Sequence, residues 1–250
     1  MTTSNKLIGA ALVLTVALLT WYDLRLKAEY LSGNYKIPYS DYATLNYTGF
    51  DIVDLKASTA ANVKFVQGPF SVRVDNNALD YVVLKQQGNR LMIDAAFERN
   101  YQWNQNPYVI VISCPTLTKL TTGATYRADN HMVTDTIVRA DWKMRQVLIE
   151  GFRQDSLRIE QDYGSTVVLE GNSIRSLRAV VGMSAGSGSN IIVKSGNAFQ
   201  EAALDIGYLS KFILENADIH NLVYHLADSA ELIVNGRSQH ILNQTKLFQP

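Results

Sequence analysis

Acidic side chains are the first candidates for chemistry, because some repetitive β proteins cleave polysaccharides with carboxylates from neighbouring repeats. Five acids in the second half of the chain are candidates: Glu160, Asp162, Asp205, Asp218 and Asp228. Glycoside hydrolysis needs two carboxyl groups about 5–9.5 Å apart. Glutamates do recur at one position of the repeat described below, but Lys194 and Asn235 interrupt that column. We therefore predict no enzyme, and a polysaccharide-active enzyme is the alternative.

Histidines are the next candidates, as metal ligands. The chain has four: His131, His220, His225 and His240. His220 and His225 are five residues apart, whereas ligands on one face of a strand lie two apart. Stacked repeats would bring His220 close to His240, but zinc and copper sites need three or four convergent ligands, and no cysteine joins them. We expect neither a metal nor another cofactor.

Cys114 and a glycine-rich stretch both have structural interpretations. Cys114 is the single cysteine, so the chain forms no internal disulfide. It precedes Pro115 in an apolar stretch, which predicts a buried, unreactive thiol. Residues 182–188 resemble a phosphate-binding loop but lack its Lys-Ser/Thr ending and the helix that follows. They are predicted to be an insertion in a turn.

Large aromatic side chains are candidates for contact with a partner. Tyr101, Trp103 and Trp142 lie outside the clearest strand patterns, and exposed tyrosine and tryptophan are enriched at interfaces. Packing in the core explains each of them equally well. We carry these three residues forward as candidate binding residues.

Composition excludes some classes of function. Lys plus Arg equals Asp plus Glu, at 23 each, so the chain lacks the basic excess typical of nucleic-acid binding. Apolar residues make up 47% of the chain, which is enough for a sizeable core. Charged residues are 18% and tyrosines number 13, a balance that favours a β-rich protein.

The N-terminus carries an apolar segment. Residues 7–22 form a run of 16 residues that Lys6 precedes and that Trp21 and Tyr22 end. As a helix the run spans about 24 Å, somewhat less than the ~30 Å hydrocarbon core of a bilayer. Its length also fits a signal peptide, but no small-residue cleavage site follows directly. We predict an uncleaved signal-anchor, with secretion after cleavage as the alternative.

The second half of the chain contains an internal repeat. Five segments share three apolar residues followed by a polar one, and they begin at Val147, Val167, Ile191, Phe212 and Leu232. The intervals are 20, 24, 21 and 20 residues. A glycine or asparagine follows each segment within three positions: Gly151, Gly171, Gly196, Asn216 and Gly236. This rhythm predicts stacked repeats with these first residues in one row.

A second, weaker series alternates with the first. It begins at Leu157, Leu177, Leu204 and Leu222. A unit of about 20 residues with two or three short strands is typical of one coil of a solenoid, whose neighbours pair in parallel. We therefore predict an all-β fold, a parallel β-helix after one transmembrane helix. A β-sandwich is the alternative, because short strands 8–12 residues apart also suit it.

The strands of the first half carry a family resemblance. They include Phe50-Asp51-Ile52, Val63-Lys64-Phe65-Val66, Phe70-Ser71-Val72-Arg73-Val74, Leu91-Met92-Ile93 and Val109-Ile110-Val111-Ile112-Ser113-Cys114-Pro115. Over residues 50–240 the chain resembles the bacterial auto-transporter adhesin, head GIN domain family. That resemblance implies a right-handed β-helix, and it implies no catalytic residues.

These observations combine into one expectation. Residues 1–6 form a short cytoplasmic tail, 7–22 the transmembrane signal-anchor, 23–48 a stalk or cap, 49–240 the β-helix domain and 241–250 a C-terminal tail. We expect a single-pass protein of a bacterial inner membrane with its C-terminal domain in the periplasm. Its expected function is non-catalytic binding of an envelope protein or a glycan along the β-helix surface, in an adhesin-like or scaffold role.

Overall fold

The computed structural model describes residues 3–33, 36–97, 108–136, 146–243 and 246–247. The chain divides into two compact units, Met1–Tyr42 and Ala43–Pro250. The first unit is dominated by a helix, and the second contains the sheets.

The first unit contains helix α1, which spans Thr3–Ser32. Its hydroxyl groups are satisfied within the helix, since Thr15 and Thr20 donate to the carbonyls of Ala11 and Val16. The helix continues ten residues beyond the predicted apolar run because good helix formers such as leucine, arginine, lysine and alanine follow it. Gly33, with φ 71°, follows its last residue. Within the described residues α1 is the one helix long and apolar enough to cross a membrane, which fits an anchor or a signal sequence.

The second unit is built from strands in two sheets. In the described part of the chain, sheet 1 comprises β1 (Tyr42–Leu45), β3 (Val63–Gln67), β4 (Ser71–Asp75), β7 (Ile110–Cys114), β11 (Val147–Glu150), β13 (Thr166–Glu170), β15 (Asn190–Val193), β17 (Lys211–Glu215) and β19 (Glu231–Asn235). Their spatial order is β1-β4-β7-β3-β11-β13-β15-β17-β19.

The other described strands form sheet 2, and from β11 onward they alternate with those of sheet 1 along the chain. They are β2 (Ile52–Leu55), β5 (Val82–Gln87), β6 (Arg90–Phe97), β8 (Lys119–Thr122), β9 (Thr125–Ala128), β10 (His131–Thr134), β12 (Arg153–Gln161), β14 (Ser173–Val181), β16 (Ala198–Ile206), β18 (Asp218–Leu226) and β20 (Lys246–Leu247). Their order is β10-β9-β6-β2-β8-β12-β14-β16-β18-β20, and β5 pairs with β6. Short 3₁₀ helices occupy Asn76–Ala78 and Gly236–Asn243.

The predicted row of apolar residues is confirmed. Val147, Val167, Ile191, Phe212 and Leu232 are register partners on successive parallel strands of sheet 1. Pairing is also parallel along β8, β12, β14, β16 and β18 of sheet 2. In the described strands, β4 pairs antiparallel with β7, β5 with β6 and β9 with β10. The all-β class after an N-terminal helix is therefore confirmed as two mixed sheets.

The turns between the sheets explain the repeated glycine or asparagine. All five of these residues have a positive φ, between 55° and 82°, a conformation that glycine and asparagine tolerate best. Asn172 then occupies one corner with its side chain buried. Its Oδ1 accepts from the Phe152 N–H at 2.9 Å, and its Nδ2 donates to the Ile149 carbonyl at 2.9 Å and to Asn197 Oδ1 at 2.9 Å. Successive corners are thus linked through side-chain amides.

The glycine-rich stretch is an insertion in a turn, as predicted. Four residues connect β12 to β13 and β16 to β17, whereas residues 182–189 make an eight-residue connection between β14 and β15. Four extra residues account for the 24-residue interval. Asp162 holds this connection, because its carboxylate accepts from the Ser184 hydroxyl at 2.5 Å and from the Ser184 N–H at 3.1 Å.

The weaker series was aligned wrongly at one position. Leu204 is the register partner of Ala179, whereas Leu177 pairs with Ala202. The error is a shift of two residues, and such a shift keeps every side chain on the same face of the sheet. Apolar pattern therefore could not reveal it. The inward residues of both sheets form a single buried cluster, which includes Leu177, Ala179 and Ala202.

Candidate functional site

The outer face of sheet 2 carries two adjacent rows of charged residues. Residues alternate along β12 and β14: Leu157, Ile159, Leu177 and Ala179 point into the core, so Arg158, Glu160 and Arg178 point outward. The first row, called the cation row, has as register partners Arg90, Ile52, Lys119, Arg158, Arg178, Ala203 and Val223. The second, called the acid row, has Met92, Asp54, Thr121, Glu160, Val180, Asp205 and His225.

Ion pairs run diagonally between these rows. Arg90 on β6 binds Asp54 on the adjacent β2, with Nη1 and Oδ2 2.5 Å apart. Lys119 on β8 binds Glu160 on the adjacent β12 at 2.7 Å. In each case the cation reaches the acid row of the next strand, a favourable arrangement of opposite charges across a sheet.

Glu160 serves two cations. The acid-row neighbour of Arg158 on the next strand is Val180, so Arg158 binds Glu160 on its own strand at 2.7 Å. Partial burial raises the pKa of Glu160, but the hydrogen bonds and charges of Lys119 and then Arg158 outweigh it. The pKa of this carboxyl therefore lies below its ordinary value.

The pattern of pairing changes at Arg178. The diagonal position on the next strand holds Asp205, but that carboxylate pairs sideways with His225, with Oδ1 and Nδ1 3.0 Å apart. Arg178 is exposed and has no ion-pair partner among the described residues. One guanidinium group of the cation row is therefore available to another anion.

A shallow groove of about 560 Å³ lies beside this guanidinium group. Its outer-face lining consists of Arg178, Val180, Ala203, Asp205, Val223 and His225. The groove exists because short side chains follow Arg178 in the cation row, while Asp205 and His225 rise beside them in the acid row. The result is a floor of small apolar groups between a lone cation and an acid–histidine pair.

The five predicted acids occupy different environments. Glu160 and Asp205 lie in the acid row with Val180 between them. Asp162 is buried in the turn after β12, and Asp218 lies 4.0 Å from His240. Asp228 is exposed in the turn after β18. In the described structure none of these five carboxylates contacts another, and Glu160 and Asp205 lie two strands apart in the acid row.

The remaining candidates for chemistry have structural surroundings. Among the described residues no group of three or more histidine, cysteine or acidic side chains is arranged to hold a metal ion. His220 and His240 do not stack, because His240 lies in the 3₁₀ helix Gly236–Asn243 rather than on a strand. Cys114 is fully buried, and burial, aided by the charge of Asp51, raises the pKa of its thiol from 9.0 to about 12. The prediction of a buried thiol is confirmed.

The predicted aromatic contact residues Tyr101, Trp103 and Trp142 lie outside the described residues. Sequence reasoning missed Arg178 as a site residue. A signal was present, since Leu157-Arg158-Ile159 and Leu177-Arg178-Ala179 repeat an arginine between two inward-facing residues. The sequence did not predict the register of the neighbouring strands, which determines whether each arginine has an ion-pair partner.

No family model matches the chain, and no curated protein matches it either. Among solved structures, a "putative adhesin" from Bacteroides fragilis is 13% identical with a TM-score of 0.48, covering 78% of this chain and 93% of its own. A "putative lipid binding protein" from Parabacteroides distasonis is 14% identical with a TM-score of 0.35, at 83% and 96% coverage. A "putative adhesin" from Parabacteroides merdae is 9% identical with a TM-score of 0.33, at 82% and 94% coverage.

Proposed function

We propose that this protein is a non-catalytic, membrane-anchored protein of the bacterial envelope that binds a partner along the outer face of its stacked strands. The observation that carries the proposal is Arg178, the last cation of the cation row, which is exposed beside a groove and has no ion-pair partner in the described part of the chain. The partner is an envelope protein or a glycan.

In this proposal the strand-rich unit is a right-handed parallel β-helix. The alternation of strands between two sheets at intervals of about 20 residues, with parallel pairing between successive repeats, supports this arrangement over a β-sandwich. Deleting residues 212–231, one whole repeat, should leave a folded protein with a single cooperative thermal transition. Deleting residues 222–231, half a repeat, should abolish that transition, because it breaks the alternation between sheets. Loss of the cooperative thermal transition in both deletion variants would favour a β-sandwich.

The proposal places α1 in the inner membrane as an uncleaved signal-anchor, residues 1–6 in the cytoplasm and the strands in the periplasm. The apolar run and its terminal Trp21 and Tyr22 support that placement. Mass spectrometry of the protein from washed membranes should recover an N-terminal peptide that contains Lys6. Recovery from the soluble fraction of a chain that begins after Tyr22 would show secretion after cleavage instead.

Site-specific photo-crosslinking in intact cells tests the binding function. A photoreactive residue at Ser176 or Asn221, both on the outer face of sheet 2, should give one defined adduct with a protein or a glycan. The same residue at the exposed Glu231 of sheet 1 is the matched control and should not give that adduct. Absence of a defined adduct from sheet 2, or the same adducts from both sheets, would contradict the proposal.

A polysaccharide-active enzyme is the second candidate, because Glu160 and Asp205 both face solvent on the same sheet. Their separation by one intervening strand is the observation in its favour. Release of reducing sugar ends from envelope polysaccharide, lost in both Glu160→Gln and Asp205→Asn, would establish that activity.

A further inference from the structure

The groove on sheet 2 has the features of a sugar subsite. Its floor is formed by Val180, Ala203 and Val223, whose small side chains leave an open, flat space on the sheet. Apolar floors of this kind accept the C–H face of a pyranose ring. Asp205 and His225 border the floor with hydrogen-bonding groups that suit sugar hydroxyls.

The charge of this face selects among sugars. Lys119, Arg158 and Arg178 occupy three successive strands of the cation row. The first two share the carboxylate of Glu160, and the third has no partner among the described residues. These three cations face two carboxylates, Glu160 and Asp205, and the second is paired with His225. The remaining positive charge favours an anionic ligand, and a guanidinium group binds a carboxylate through two parallel hydrogen bonds.

We propose that the groove is a subsite for a uronic-acid residue of an acidic polysaccharide, with Arg178 binding the sugar carboxylate. This inference rests on the proposed binding function and names its ligand class. The polysaccharide chain runs across the strands along the cation row, so that its next acidic sugars meet Arg158 and Lys119.

The spacing of the strands supports a polysaccharide over a peptide. Adjacent strands lie about 4.8 Å apart, close to the length of one pyranose unit. A polysaccharide chain that crosses the strands therefore advances by about one sugar per strand. An extended peptide advances about 3.3 Å per residue, so its acidic side chains would fall out of step with the cation row.

The inference is tested by measuring, with calorimetry, how tightly the full chain in nanodiscs binds an oligogalacturonate. Arg178→Ala should weaken binding about tenfold or more, the loss of one charge-assisted contact. Arg178→Lys should retain part of the affinity, because the charge stays and the two-pronged contact is lost. Ala203→Phe should also weaken binding by filling the groove without changing any charge.

Arg175→Ala is the matched control. It lies on the same strand, is exposed, and pairs with Asp155 outside the groove at 3.6 Å. It should leave affinity unchanged. Equal losses in Arg175→Ala and Arg178→Ala, or undiminished binding of the methyl-esterified oligosaccharide, would overturn the carboxylate subsite. Tighter binding of poly-glutamate than of oligogalacturonate would overturn the choice of a polysaccharide.

The two proposals fail separately. Loss of oligogalacturonate binding with retention of the Ser176 photo-adduct would overturn the uronate subsite and leave the envelope-binding function standing. Absence of both would overturn both. Circular dichroism on each variant establishes that it is folded before its affinity is measured.

Discussion

The outer faces of the two sheets treat their cations differently. On sheet 1 three lysines each bind an acid on a neighbouring strand: Lys64 with Glu150 at 2.5 Å, Lys194 with Glu170 at 3.0 Å and Lys211 with Glu231 at 3.0 Å. On sheet 2 the cations of the cation row from Arg90 to Arg158 are also paired, and outside this row Arg175 pairs with Asp155. Among the four cations of the cation row, Arg178 is the one without an ion-pair partner in the described structure, and it is therefore the residue to which we assign a binding partner.

The faces also differ in the residues between their charges. On sheet 1 the middle residues of the triplets form an outward column of Leu148, Val168, Ile192, Ile213 and Ile233. Val168 is 1% exposed, although it lies outside the main core cluster. On sheet 2 the corresponding outward valine, Val180, is partly exposed and lines the groove. One face is therefore protected from water at that level, and the other is open.

The same polar substitution on the two faces should produce the largest difference in the free energy of unfolding. Val168→Asn should lower the free energy of unfolding by about 3 kcal/mol, because it buries an amide without a partner. Val180→Asn on the opposite face should cost less than about 1 kcal/mol, since its amide reaches water. Chemical denaturation of the two variants checks the contrast, and similar losses would mean that the two faces are equally open.

The corner that joins the faces should come next. Asn172→Ala should destabilise the protein by about 2–3 kcal/mol, because it leaves the Phe152 N–H and the Ile149 carbonyl buried without partners. Asn221→Ala, an exposed asparagine on β18, is the control and should change stability by less than about 0.5 kcal/mol. Hydrogen exchange of Asn172→Ala should show reduced protection of backbone amides in both sheets. Reduced protection in one sheet alone would show that the corners do not couple the two faces.

Removing one acid from each face should have a smaller effect. Glu160→Gln should lower the free energy of unfolding by about 1 kcal/mol, because Glu160 forms ion pairs with two cations. Glu170→Gln should lower it by a few tenths of a kcal/mol, because Glu170 pairs with one. Since the pKa of Glu160 is lowered in the folded protein, its contribution is present above the ordinary glutamate pKa, about 4.3. That contribution is lost as the pH falls through the lowered value. Unfolding measured between pH 2 and 7 should therefore depend less on pH in Glu160→Gln than in the parent chain.

The smallest effect on stability is expected at the residue that matters most for binding. Arg178→Ala should change the free energy of unfolding by less than about 0.5 kcal/mol, because no partner is left unpaired. Lys194→Ala on sheet 1 should lose a few tenths through its pair with Glu170. Thermal unfolding at low salt compares the two. A clear loss of stability in Arg178→Ala would assign this arginine a structural role and remove the distinction between the faces.

Much of the fold was predictable because it depends on local pattern. The row from Val147 to Leu232 follows from apolar spacing, and the turn residue after each of the five triplets follows from backbone preference. The register of sheet 2 was less accessible, as the two-residue error at Leu204 shows, because alternation fixes the face and leaves the partner open. The sequence of a strand determines which face of the sheet each side chain lies on. The residue opposite it on the next strand is determined by the tertiary structure.

The candidate site was less predictable for the same reason. Whether Arg178 is paired depends on Asp205 and His225, which lie one and two strands away. In sequence an arginine between two apolar residues indicates an outward position and nothing about its neighbours. The predicted aromatic residues, selected by type alone, lie outside the described part of the chain.

The eight-residue connection after β14 marks a place where the molecule can carry added material. Gly186 is exposed, and a Cβ atom there would meet no other atom within 4 Å. A short epitope or a fluorescent label inserted at this point would extend into solvent while the strands on either side keep their partners. The same chain could then report its own location in living cells.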